Sequence, residues 1–145
     1  SNPSNEIEQV DIVGHSWFFK REWLSYFWRE IPNFNEFSFV GEDIHFSYVL
    51  QKYLGLNTYV PPHPNEDKTM WGSNEDLAMK IGTDKFAISY DEKRLNEMDS
   101  CLLKYIKKGF QLNFVEDLKI KGIYLDNKMR IGKYIKKYLK NDKEN

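Results

Sequence analysis

The sequence contains a single cysteine, Cys101, among 145 residues. No intrachain disulfide can form and no cysteine-rich metal site exists, which fits a reducing compartment. No stretch approaches the roughly 20 apolar residues that a membrane span requires. The opening SNPSNE lacks a basic-then-apolar leader pattern, so residues 1–8 read as a flexible lead. GxGxxG, Walker A, HExxH and GxSxG are all missing, which excludes the common dinucleotide, P-loop, zinc-protease and α/β-hydrolase signatures. No two aspartates stand two positions apart, so there is no DxD.

What is present describes one globular domain. Hydrophobic residues make up 41% and charged residues 30%, a profile that can bury a core. Aromatics reach 16%. Large rings build cores, and they also build platforms for sugars and bases. The net charge of −1 is unevenly spread. Residues 119–145 carry nine Lys or Arg against three acids, a net of +6, and the remainder is at −7. A basic end on an acidic body suggests contact with an anionic surface. No aromatic–basic interleaving of a nucleic-acid module occurs, and none is expected as a partner.

Periodicity places the elements. Val10, Ile12 and Val13 suit a strand, broken at Gly14. Trp17 to Phe19 continue a second strand or enter the next element. Trp23, Leu24, Phe27 and Trp28 have helical spacing. The stretch GEDIHFSYVLQKYLG predicts an amphipathic helix stopped by Gly55, with Phe46, Val49, Leu50, Tyr53 and Leu54 on its apolar face. LNTYV reads as a short strand closed by Pro61 and Pro62, and a long polar loop follows it. A helix is expected from Asp91 to Phe110, with Leu95, Met98, Leu102, Ile106 and Phe110 along one side. Another is expected from Ile123 to Leu139, apolar on one face and lysine-rich elsewhere. The predicted fold class is mixed α+β, a few strands packed with three or four helices.

Several residues could carry chemistry. Glu42 and Asp43 fall in a first helical turn, where exposed N–H groups and the helix dipole favour carboxylates by a few tenths to about 1 kcal/mol. That alone explains their presence. The same field keeps a carboxylate ionised and able to accept a proton from a hydroxyl. Gly41 leaves room for close approach to the backbone. His63 stands among prolines in PPHP, which hold the backbone extended; a lone loop histidine is an ordinary surface residue or a metal ligand. His45, at i+3 from Glu42, is placed to share a face with it. Trp71, in MWGS, has no periodic core role and either folds back or stacks on a ligand.

The stretches VDIVGHSWFFKREWLSYFW, GEDIHFSYVLQKYLGLNTYVPPHP and WGS together resemble the C-terminal, acceptor-binding half of GT-A fold glycosyltransferases of the broad family-2-like group. The resemblance covers about residues 9–75, and its most specific part is the combination of the ED helix with the flanking motifs. It implies three regions: the lead at 1–8, an acceptor-binding half over 9–118, and a basic amphipathic tail at 119–145. It implies that Asp43 is the general base of an inverting transfer from a nucleotide-sugar donor to a glycan or lipid-linked acceptor, with Glu42 orienting it. Gly14, His15, Ser16, Trp17, Gly41 and Trp71 fall at substrate-contacting positions. His63 matches an extra ligand to the Mn²⁺ or Mg²⁺ that accompanies the donor diphosphate.

The nucleotide-binding half and its DxD are not in this sequence. The resemblance therefore implies that a missing N-terminal half or another chain completes the enzyme, and that the isolated chain is inactive. A cytoplasmic protein building cell-envelope polysaccharide, touching the membrane through residues 123–145, fits this picture. Two other classes remain open: a carbohydrate-binding or interaction module using Trp17, Trp23, Trp28 and Trp71, and a metal-dependent hydrolase using His15, His45 and His63.

Overall fold

One helix organises the chain, and its sequence explains why. In EDIHFSYVLQKYL every residue from Ile44 to Leu50 is buried, so the helix has no solvent face along its middle two turns. An element covered on all sides must be central. The computed structural model describes residues 4–13, 17–30, 40–64, 66, 67, 69 and 92–120. Among them lie β1 (Glu8–Val10), a 3₁₀ turn (Arg21–Trp23) running into α1 (Leu24–Phe27), α2 (Glu42–Leu54), β2 (Thr58–Val60), α3 (Glu92–Lys107) and α4 (Asn113–Ile120). The class is mixed α/β. Its strands form a two-stranded antiparallel sheet, with Glu8 opposite Val60 and Val10 opposite Thr58.

The central element, α2, lies between α1 and α3. Ile44, Phe46, Tyr48, Val49 and Leu50 form a core with Cys101, Leu102 and Tyr105 of α3 and with Phe110, Leu112 and Val115 beyond it. Each such side chain contributes about 1.5–3 kcal/mol when fully buried. The short first helix supplies Trp23, Tyr26 and Phe27 to the same core. Their i, i+3, i+4 spacing turns one face inward.

Both ends of α2 depend on glycine. Gly55 adopts φ 63° and closes the C-terminus: its N–H reaches the carbonyl of Gln51, and the Leu56 N–H reaches back to Leu50. The Gly55–Gln51 bond is that of an αL stop. Gly41 adopts φ 101°, and a Cβ placed there would come within 2.6 Å of the Cys101 sulfur. The close approach that this glycine permits is therefore that of α3.

Some expectations shift. The first helix is one turn of 3₁₀ and one of α, shorter than its aromatic spacing predicted. The buried stripe of α3 is Met98, Cys101, Leu102 and Tyr105, while Leu95 is exposed. Ile106 packs at the margin, and Phe110 is buried after the helix has ended. The stripe is rotated because a thiol and a phenol join Leu102 in the core against α2. The helix α4 was not anticipated. Ser4 exchanges both backbone hydrogen bonds with His63, which ties the chain down ahead of β1. Most of the loop after Pro64 and the whole expected helix over 123–139 lie outside the described residues.

Replacing Gly41 by alanine tests the α2–α3 contact. The left-handed backbone costs a substituted residue about 1–3 kcal/mol, and overpacking against Cys101 adds a similar amount. Urea unfolding is expected to show a large drop in midpoint for Gly41→Ala. Adding Cys101→Ala is expected to restore the overpacking share and leave the backbone share.

Candidate functional site

The first turn of α2 is where the sequence candidates meet. Gly41 is buried, Asp43 is half-buried and Glu42 is exposed. Gly41 offers no side chain to cap the helix. Asp43 serves from within: its Oδ1 accepts the Ile44 N–H at 2.8 Å, one of the donors a helix start leaves without a partner. One carboxylate oxygen is thereby fixed in orientation. On the same helix face, Ser47 donates its hydroxyl to the Asp43 carbonyl at 2.8 Å.

Trp17 arrives beside this turn. Its ring stacks on Phe46, three residues after Asp43, with centroids 5.2 Å apart, and its indole N–H donates to the Val13 carbonyl at 2.7 Å. Phe19 meets Phe46 edge-on. Trp17 is thus packed on Phe46, with its polar handle already used. Gly14, His15, Ser16 and Trp71 lie outside the described residues.

Beneath the turn sits Cys101. Burial pushes its thiol up to about 12, and the charges of Asp43 and Glu42 push in the same direction. Those charges act on the thiol because α3 passes directly under Gly41.

His63 belongs to a different part of the fold, at the end of β2. Its Nδ1–H donates to the Pro61 carbonyl at 2.9 Å. A backbone carbonyl holding the other ring nitrogen is the usual support of a metal-bound imidazole. Among the described residues no three His, Cys, Asp or Glu side chains cluster as a complete metal shell.

His45 is not a surface partner of Glu42. It is 1% exposed, and both ring nitrogens are engaged inside the core. Nε2–H donates to the Phe27 carbonyl at 2.8 Å, and Nδ1 pairs with the Tyr105 hydroxyl at 2.6 Å, which donates to it. Burial lowers the imidazole's affinity for a proton, outweighing the Phe27 carbonyl and the charge of Glu30. The three-histidine hydrolase loses this member.

A cation-rich cluster caps the far end of α2. Burial works against ionisation of Glu30, but hydrogen bonds from Lys52 and Tyr53 and the charges of Lys52 and Lys108 outweigh it, so its carboxyl stays below the ordinary range. Arg29 lies over the Tyr26 ring at 4.2 Å.

The chain also has a cleft of about 430 Å³ that none of the sequence candidates lines. It starts at Ser47 and Gln51, one and two turns beyond Asp43, and runs between the β ribbon and the start of α4. Its walls are pinned. Gln51 forms two 2.8 Å hydrogen bonds with the backbone of Gln111, one donated and one accepted. Asp11 accepts the N–H groups of Asn113 and Phe114 at 2.7 and 3.1 Å and so caps α4 from the other end of the chain. Sequence reading had no route to these pairs, because each joins residues far apart in the chain.

Comparison with protein-family models, with curated proteins and with solved structures finds no match to this chain.

Two measurements check this geometry. The unfolded imidazole of His45 titrates near 6.5, whereas the folded one does so lower. Below about pH 6.5 the unfolded state therefore binds more protons, and stability must fall as pH drops towards the folded value. Wild-type Tm is expected to decline from pH 7.5 to 5.5, and His45→Gln, though less stable, to show a flatter profile there. The second concerns Cys101, which is expected to resist thiol reagents at pH 8 until the chain unfolds. Neutralising the turn with Glu42→Gln and Asp43→Asn is expected to speed labelling by less than about tenfold, since burial is the larger cause.

Proposed function

We propose that this chain is the acceptor-binding half of a family-2-like GT-A glycosyltransferase. Asp43 takes the proton of an acceptor hydroxyl as that oxygen attacks the anomeric carbon of a nucleotide-diphosphate sugar. The new bond forms as the bond to the diphosphate breaks, and the anomeric centre inverts. The observation that carries this reading is the mount of Asp43. It stands on the first turn of the most buried helix, with one oxygen anchored on the Ile44 N–H. A general base needs fixed geometry before it needs a tuned pKa.

The other roles follow from position. Glu42, exposed one residue earlier, binds an acceptor hydroxyl and orients it towards Asp43. Trp17 walls the turn through Phe46 and excludes water from one side. Gly41 lets α3 support the turn from below. Gly14, His15, Ser16 and Trp71 contribute substrate contacts by resemblance alone. A divalent ion, Mn²⁺ or Mg²⁺, would neutralise charge developing on the leaving diphosphate. The Nε2 atom of His63 is the donor this chain offers it, and imidazole suits Mn²⁺ better.

The donor-binding half comes from further polypeptide or from another chain. Residues 123–145 meet the membrane surface, and the enzyme works in the cytoplasm on a glycan or lipid-linked acceptor. Among the described residues no helix is long and apolar enough to cross a membrane.

The test is a transferase assay with nucleotide sugars and Mn²⁺ on the native protein that carries these residues. Asp43→Asn is expected to lower kcat by about 10²–10⁴, the usual contribution of general acid–base catalysis, with KM and Tm nearly unchanged. Glu42→Gln is expected to act mainly on acceptor KM. An Asp43→Asn enzyme with wild-type kcat would remove the proposal.

A further inference from the structure

The cleft between the β ribbon and α4 has a chemistry of its own. At about 430 Å³ it lies within the usual range of small-ligand sites. Among the described residues no Lys or Arg lines it. Its two carboxylates are already spoken for. The charge of Asp11 faces the positive end of α4 and accepts two of its N–H groups. The charge of Glu116 is paired with Lys119 at 2.6 Å. The cleft is therefore polar with little net field.

Besides Gln51, four amide side chains remain, those of Gln9, Asn57, Gln111 and Asn113, and all four residues are exposed at the rim. They make no hydrogen bond with the described residues. A side-chain amide both donates and accepts, and a sugar hydroxyl does the same. Anions need cations or clustered N–H donors, and here the N–H groups that open α4 are taken by Asp11. The walls are held in advance by the Gln51–Gln111 pair and the Asp11 cap, so a ligand orders little on binding.

We infer that this cleft is a binding site for a neutral polyhydroxylated ligand, a short uncharged glycan segment, gripped by the amides of Gln9, Asn57, Gln111 and Asn113. It is distinct from the proposed catalytic turn, and neither depends on the other's chemistry. It begins one helical turn beyond Asp43, and a glycan seated in it extends away from the site of transfer.

The experiment is a heteronuclear NMR titration of the full chain, following side-chain amide signals. Maltose, cellobiose and chitobiose serve as neutral probes, with inorganic phosphate, UDP and Ca²⁺ alongside them. At least one neutral disaccharide is expected to shift the Gln9, Asn57 and Asn113 side-chain signals saturably at millimolar concentration. The triple variant Gln9→Ala, Asn57→Ala, Asn113→Ala is expected to bind at least about tenfold more weakly, the cost of losing one to two hydrogen bonds, with Tm retained because these amides hold nothing else. Asp43→Asn is expected to leave the titration unchanged, which separates this result from the fate of the transferase proposal. No saturable shift with any neutral sugar, unaltered binding in the triple variant, or shifts of these amides by phosphate, UDP or Ca²⁺ instead would each overturn the inference.

Discussion

His45 joins three helices at one buried point. Its ring stands on α2, donates to the last residue of α1 and accepts from the Tyr105 hydroxyl on α3. A neutral imidazole can do this because its two nitrogens have opposite roles. The arrangement sets the azimuth of α2, since rotating the helix breaks both bonds and leaves polar atoms stranded in an apolar core. Phe27 packs edge-on against the same ring. Everything carried by the first turn of α2 takes its direction from that lock, including the outward position of Glu42 and the anchored carboxylate of Asp43.

Much of this was legible in the sequence. Gly55 marked the end of α2, the two acids marked its start, and LNTYV marked β2; each follows from a local rule that needs no partner. What could not be read is what depends on distant partners. His45 looked like a surface residue beside Glu42 because i, i+3 spacing says who shares a face, not whether that face is wet. The expected stripe of α3 held Met98, Leu102 and Phe110 correctly but missed Cys101 and Tyr105, which do not announce themselves as core. Asp11 gave no signal at all, since its role appears only when α4 is set against it. Asp43 itself was named for a resemblance, and the fold adds a physical reason for its rigidity.

The first turn of α2 and the cleft share a helix but divide its chemistry. The turn offers ionised carboxylates over a buried thiol, while the cleft offers amides with compensated charges. The basic cluster around Glu30 belongs to neither: Lys52 and Lys108 face that one carboxylate, and Arg29 and Lys108 lie over tyrosine rings.

The bond between Asp11 and the start of α4 spans 102 residues. Contacts of that separation are slow to form, because the chain must close a long loop before they reward it. During synthesis β1 can meet β2 once residue 60 has emerged, but a lone two-stranded ribbon is marginal in water. Its clamp arrives only with residues 113 and 114, late in the described chain. The ribbon must therefore wait, half-assembled, while the helices that will hold it are still being made, and the same end of the molecule is where its unravelling should begin.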